Sequence, residues 1–547
     1  MEHDISETPI PPRARDLSFY VVLFFMVIPL WSSVPLSWAF VIRSLFFENL
    51  SAHSFFSRTL FAIAACEVGF SIHYLCLVWR VSGPSPHGPG DAAEIRTAFI
   101  RLLKTGLANL PEDGGDQESL VVERPGSPEE AIIQLERHDP RAIDFRHSLR
   151  TWFCKAPWST IKLRDVEKWL YWSMFNSELP PPEEVPHAHR EIVTEVLELL
   201  QKRLGCKLEE GENRHIRPMR LTIDRVNILW RPLTFYAIVR VVNLGFRNLY
   251  KTKWSARYAS FDGLEYLLRI PEQWDPNSSH RPVVFVHGLG LGLLQYHRLL
   301  SHLFESIPDR PILILLQPQI SQDFFHPNFL KPLNKQQMVG KLSRLLHKLG
   351  WVHLNSTGLV ESSSDSEGER QVEKSLIPKT CKGVTMISHS NGSYIHAWML
   401  KEHPKLVTRS CFVDPVTFCS WEGDVCYNFL YRTSKTGIEL LMRYFVGTEL
   451  GVTNLLQRHF DWVSNSLWFE EIPNGRDPSK TLFLLGGKDD IIHAERVKRY
   501  LTSHGVQKNL FYDPNGRHGY ALLKGQPGHT EILRWLREAQ YKGPLSP

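Results

Sequence analysis

Three things are missing from this sequence: a cysteine pairing pattern, a basic run and metal-ligand spacing. Its eight cysteines include no C-x-x-C and no Cys/His cluster at zinc spacing. That fits a reducing compartment better than a secreted disulfide scaffold. Cys66 and Cys76 sit in apolar sequence, where buried, reduced thiols are expected. No histidine pair has the spacing of metal ligands, so no metal is expected, and no motif calls for a cofactor. A net charge of +5 over 547 residues is small, and no basic run is interleaved with aromatics, so there is no case for nucleic acid. Disorder is excluded too, because 43% hydrophobic and 22% charged residues is a globular composition. The length allows a large core and more than one module.

Charge is absent altogether from 17–42. A bilayer-spanning helix takes about 20 residues, so this run is long enough. Pro29 and Pro35 are expected to kink or divide it. A second run, 59–79, is apolar apart from Glu67 and His73. A buried helical hairpin is the bland alternative, and the first run is too long and lacks a small-residue cleavage site for a signal peptide. Arg13 and Arg15 precede the first run, Arg80, Arg96, Arg101 and Lys104 follow the second, and Arg43 and Arg58 lie between. The positive-inside tendency then places the large C-terminal part in the cytosol, on an intracellular membrane such as the endoplasmic reticulum. The sequon at Asn49 would face the lumen. A second, "NGS" at Asn391, would be exposed to glycosylation if the C-terminal part were luminal.

The organisation expected is an N-terminal membrane anchor at 1–90, a mainly helical region at 91–260 and an α/β domain at 261–547. "SGPSPHGPGD" (82–91) is a Pro/Gly linker, and 111–130 is an acidic, breaker-rich loop. "VEKWLYWSMF" and "REIVTEVLELLQKRLG" carry helical spacing, and the first is expected to pack on a core rather than bind a ligand. "RPLTFYAIVRVVNLGF" (231–246) is apolar enough to lie on a membrane or on the core. From Phe261 onward, "LEYLLRI", "RPVVFVHGLGLG", "PILILLQP", "KGVTMISHSNG", "VTRSCFVDP", "KTLFLLGGKDD" and "QKNLFYDPN" read as strands with helical segments between them. That alternation means a mainly parallel sheet with helices on both faces. A polar excursion at 355–375 reads as a disordered loop, and an aromatic-rich insertion at 416–471 as a helical cap.

"VTMISHSNGSYIHAWML" places Ser390 where a buried strand turns into a helix. Ser388 and Gly392, two before and two after, are small enough for a tight bend that lifts the hydroxyl above the sheet. A Ser/Asn/Gly helix cap would look the same. Other segments supply what catalysis needs. "VVFVHGLGLG" puts His287 and Gly288 at a strand end, where the N–H groups of Leu289 and Asn391 are the expected oxyanion donors. "FLLGGKDDII" ends a strand in Asp489, suited to orient a histidine, and "NGRHGYALL" supplies His518. The serine attacks, the histidine takes its proton, and the acid fixes the tautomer.

The order Ser390, Asp489, His518 resembles the α/β-hydrolase superfamily, whose triad runs in that order, and the resemblance covers 261–539. It departs at Ser388, where glycine is commonest. A serine nucleophile differs from the aspartate of the similar epoxide hydrolases and dehalogenases, and no H-x-x-x-x-D acyltransferase signature follows His518. The arrangement also looks like the membrane-anchored, hydrolase-like proteins of unassigned function found in fungi. Asp414 in "CFVDPV" is the alternative acid, although a structural turn aspartate is the expected role. His287 is expected to shape its loop. His389 either touches substrate or packs, and His403, His493 and His529 are expected on the surface.

Anchor and cap together imply a small-molecule or lipid ester substrate, the cap's apolar residues forming either an acyl pocket or a core of their own. The function expected is hydrolysis of a carboxylic ester, with thioester cleavage or acyl transfer by the same triad as variants. A non-catalytic membrane protein of the same fold, binding a lipid or a protein partner, is the alternative. On this reading the hairpin is a detachable anchor, and removing residues up to Gly90 leaves turnover of a soluble ester largely intact.

Overall fold

Short runs of β-branched and aliphatic residues, buried on both faces, form the strands of a parallel sheet. In the computed structural model, residues 4–47, 54–86, 88, 90–107, 132–275, 280–353 and 383–538 are described. The Asn49 sequon, the loop 111–130 and the excursion 355–375 lie outside the described residues. Eight strands make one sheet: β1 (Arg257–Phe261), β2 (Leu264–Arg269), β3 (Val283–Val286), β4 (Ile312–Leu315), β5 (Val384–His389), β6 (Val407–Val413), β7 (Thr481–Gly486) and β8 (Leu510–Asp513). Their order is β1-β2-β4-β3-β5-β6-β7-β8. β2 is antiparallel to both neighbours, and β3 to β8 are parallel.

Alternate side chains feed two cores, as the two-residue period of a strand requires. Val284, Val286, Leu313 and Met386 join one core with the helices Lys335–Lys348, Gly392–Glu402 and Ala494–Ser503. Val283, Phe285, Ile312 and Ile387 join the other with Leu293–Ser306 and Pro527–Arg537. This mixed sheet, covered on both faces, fits the α/β-hydrolase architecture.

β1 was not among the strands expected, and the sheet begins at Arg257, ahead of residue 261. The signal was present. Asp262-Gly263 is a two-residue turn with both φ positive, at 51° and 75°, which favours a hairpin.

The helical region shares its core with the sheet. Trp152, Trp169 and Trp172 are buried with Trp421, Trp462 and Trp468 of the insertion, and the Trp152 indole N–H donates to the Trp421 carbonyl at 2.8 Å. "VEKWLYWSMF" thus packs on a core, within the helix Leu163–Phe175.

Two N-terminal helices, Leu17–Phe46 and Phe55–Val81, are long and apolar enough to cross a membrane. Pro29 and Pro35 do not divide the first. A π-helical turn, Leu23–Val27, precedes Pro29, and the helix then runs on through Pro35. Cys66 and Cys76, expected to be buried, lie exposed on the second helix. Its other face packs on the domain, where Phe70, Tyr74, Leu77 and Val81 meet Tyr236, Phe324, Phe329 and Leu450.

Candidate active site

The β5-to-helix junction is built around a strained serine. Ser390 has φ +51°, a left-handed conformation that costs roughly 1–3 kcal/mol for a non-glycine residue. Its N–H donates to the Val413 carbonyl at 3.1 Å, which ties the bend to β6. Gly392 is required by contact, since a Cβ there would lie 2.4 Å from the Val286 carbonyl oxygen. Ser388 does more than stay small. Its hydroxyl is 2.9 Å from His396 Nδ1, and His396 Nε2 is 3.1 Å from the Ser410 hydroxyl. Burial pushes the His396 pKa down to about 3, so the ring is neutral, and it stacks on Phe412 with centroids 4.3 Å apart. His396 escaped the sequence reading because nothing in "SYIHAWML" marks its partners, which come from two different strands.

Asp489 and His518 meet from separate loops. The Asp489 carboxylate is fully buried and accepts the His518 Nδ1–H at 2.6 Å through one oxygen. Its other oxygen accepts the N–H groups of Ile491 and Ile492 at 2.7 and 3.1 Å. Burial alone would lower the His518 pKa, but the Asp489 charge and hydrogen bond outweigh it and hold the pKa up to about 9. His518 Nε2 is buried without a hydrogen-bond partner among the described residues, and His518 lines the same cavity as Ser390.

Asp414 lies close to this pair but holds backbone instead. Its oxygens accept the N–H of Gly486 at 2.9 Å and of Gly519 at 2.7 Å, stapling the loops that carry Asp489 and His518. Desolvation raises its pKa above the usual carboxylate range. The ligand atoms of Asp414, Asp489 and His518 lie within 4.8 Å of one another, and the hydrogen bonds above engage them.

The Gly-rich loop after β3 packs directly on the elbow. A Cβ on Gly288 would sit 2.8 Å from Ser390 Cβ. Among the described residues, neither the Leu289 nor the Asn391 N–H has an acceptor. His287 is structural: Nε2 accepts the Gln317 N–H at 3.3 Å, which leaves Nδ1–H to donate to the Gly288 carbonyl at 2.8 Å. Tyr296 was missed. Its oxygen accepts the Gly288 N–H at 2.9 Å and lies 2.8 Å from His389 Nδ1. His389 Nε2 is buried without a partner among the described residues, and the ring lies 5.1 Å centroid to centroid from that of His518. Burial holds His389 neutral. His529 departs from the surface position expected: it is buried, 2.9 Å from His302. His493 is exposed and caps a helix, and His403 is half-buried.

Ser390, Asn391, Leu289, His389 and His518 line a cavity of about 680 Å³. Its walls are mainly apolar, and Val425, Phe429, Ile438, Met442 and Val446 come from the insertion. Other insertion residues, Trp421 and Trp468 among them, pack into the core. The insertion therefore forms both a core and a cavity wall.

No protein-family model matches this chain, and no curated protein matches it either. Solved structures similar to it include a membrane phospholipase A described as a bacterial virulence factor, at 13% identity over 56% of this chain and 92% of that one, with a TM-score of 0.34. Carboxyl esterase 2 of the mycorrhizal fungus Tuber melanosporum is similar at 15% identity over 52% and 87%, with a TM-score of 0.33. A carboxylesterase of Bacillus subtilis is similar at 10% identity over 55% and 99%, with a TM-score of 0.31. Likeness this distant says nothing of substrate or mechanism.

Proposed function

We propose that this protein is a serine hydrolase that cleaves a carboxylic ester with a long apolar acyl group. One observation carries the reading: a serine strained to φ +51° lines the same apolar cavity as a histidine hydrogen-bonded to a buried aspartate. Ser390 Oγ attacks the ester carbonyl as His518 Nε2 takes its proton. The N–H groups of Leu289 and Asn391 receive the negative charge on the carbonyl oxygen. His518 then gives its proton to the departing alcohol, leaving an acyl-Ser390 ester. A water molecule, deprotonated by His518, attacks that ester; the acyl–Oγ bond breaks, His518 returns the proton to Ser390 Oγ, and the acid leaves. Asp489 holds Nδ1–H, so that Nε2 is the basic nitrogen. The wall of Phe429, Met442 and Val446 suits an acyl chain.

A fluorophosphonate probe tests this directly. It should label the wild-type protein at Ser390 and leave a folded Ser390→Ala variant unlabelled. Labelling of both would remove Ser390 from the role. The two apolar helices anchor the enzyme on this reading, with the domain on the cytosolic face of the endoplasmic reticulum. Protease added to intact microsomes should then degrade the part beyond residue 90 without detergent, and protection until detergent is added would place it in the lumen.

A further inference from the structure

The helix Leu233–Trp254, which contains most of "RPLTFYAIVRVVNLGF", has one face that no described residue covers. Tyr236, Val239 and Tyr250 are buried on its inner side. Ile238 and Val241 point outward at 62% and 66% exposure, and Leu244 and Leu249 continue the stripe at helical spacing. The last turn carries exposed Lys251 and Lys253.

Both hairpin helices hold this region. The Glu67 carboxylate accepts the Leu233 N–H at 2.9 and 3.1 Å and so caps the helix from inside the second apolar span. Trp31 of the first span stacks on Trp230 at 4.6 Å, and the Trp230 indole N–H donates to the Trp31 carbonyl at 3.0 Å. The cavity mouth adjoins the same hairpin. Its rim includes Phe246 of this helix and three exposed apolar side chains, Leu294, Ile438 and Leu523. Gly437, beside Ile438, donates its N–H to the Ser18 hydroxyl at 2.8 Å, and Arg13 pairs with Glu439 at 3.0 Å. The rim is thus clamped to the first turn of the first span.

We propose that the outward face of Leu233–Trp254 docks on the bilayer that receives the hairpin, and that the cavity mouth opens at that boundary, so that the ester enters from lipid. The occupant follows from continuity. Trp79 is 83% exposed at the domain end of the second span, although Phe70, Tyr74 and Val81 on its other side pack on the domain. A bilayer that covers Trp79 reaches the level of the domain itself, where the outward apolar stripe of the helix meets lipid and Lys251 of its last turn lies toward the phosphates. The entry half of this proposal rests on the hydrolase reading, while the docking half does not.

The test uses the full chain reconstituted in phosphatidylcholine/phosphatidylserine vesicles. A photoreactive benzoylphenylalanine placed at Val241 should cross-link to lipid, and the same group at Glu209, an exposed position on the helical region, should not. Cross-linking of position 241 only to protein, or to nothing, would overturn the docking face and assign it to another segment, a second copy or water. The double variant Ile238→Glu, Val241→Glu should lower turnover of a long-chain ester embedded in vesicles by about tenfold, with turnover of a short soluble ester unchanged. A lipid adduct at 241 with unchanged vesicle turnover overturns lipid entry alone. Absence of any turnover by the wild-type protein overturns the hydrolase reading, and the cross-link still decides docking.

Discussion

The central strands and the N-terminal hairpin draw on the same apolar residue types and place them oppositely. β3, β4 and β7 bury every side chain. The hairpin leaves Leu17, Phe25, Phe55 and Trp79 more than three-quarters exposed. Two of its polar groups do the reverse. Glu67 and Ser71 are buried, and Ser71 accepts the Trp38 indole N–H at 2.9 Å. In water such exposure forgoes about 25 cal/mol for each Å² of apolar surface left uncovered. On the proposed reading of the hairpin as a membrane anchor, this exposure of apolar side chains is what a bilayer would cover. In the sheet, polar groups such as His389, Ser390 and Asp414 gather at the strand ends.

The largest effect should come from the strained serine. Ser390→Ala is expected to lower ester turnover on the order of 10⁶-fold, as loss of a triad nucleophile does, with thermal unfolding unchanged or slightly raised. Turnover that survives in a folded variant would break the contrast between strained strand end and inert strand interior. Asp489→Asn comes next. It should cost on the order of 10⁴-fold, because an amide in place of the carboxylate no longer fixes the His518 tautomer. Asp414→Asn sharpens the comparison. The asparagine NH₂ would oppose the N–H of Gly486 or Gly519 and leave it unpaired, at about 1–3 kcal/mol of stability. Its loss should therefore appear in the melting temperature more than in kcat, and the opposite ranking of the two variants would exchange their roles.

Much of this site was legible because its chemistry sits at strand ends, and strand ends are readable from apolar runs that stop. Ser390, Asp489 and His518 were singled out that way, and the fold brings Asp489 against His518 and sets His518 and Ser390 in one cavity wall. What remained hidden depends on contacts between distant segments. Tyr296 lies on an ordinary amphipathic helix, and only folding brings its hydroxyl to Gly288 and His389. Asp414 and Asp489 both end strands, and spacing could not show that one holds a ring and the other two backbone amides. β1 was lost for another reason. Its "RYASF" is half polar and too short to stand out as an apolar run, so only the Asp-Gly turn behind it marks the hairpin. The hairpin was legible as apolar but not as a structural partner. Stripping residues up to Gly90 would uncover Tyr236, Phe324 and Phe329, so the clean release expected of a detachable anchor is replaced by an expected loss of stability.

The pH profile gives a smaller and more diagnostic effect. The His518 pKa is held up to about 9 by Asp489. A raised pKa means that the protonated ring, which is inactive as a base, persists to higher pH. kcat/KM should therefore rise with pH and level off only above the ordinary histidine range. In Asp489→Asn the charge is gone, so the limb should move to lower pH while its height falls. A limb at the same pH in both proteins would mean that Asp489 does not set the His518 charge.

The smallest kinetic effect should come from Ser388, the residue that departs from the usual glycine of the elbow. Its hydroxyl belongs to a buried chain, Ser388–His396–Ser410, below Ser390. Ser388→Ala removes one partner and strands His396 Nδ1, which should cost about 1–3 kcal/mol of stability, since a buried polar atom loses its hydrogen bond and gains no water. Turnover should stay close to wild type, because φ at Ser390 is set by the bend, the Val413 carbonyl and Gly392. Replacing the whole chain by apolar groups, with Ser388→Ala, His396→Leu and Ser410→Ala together, should recover most of the loss, because no buried polar atom is then left unpaired. Melting temperatures of the single and triple variants decide the matter. If the triple variant melts no higher than the single one, packing of the imidazole on Phe412, and not its hydrogen bonds, is what His396 contributes beneath the elbow.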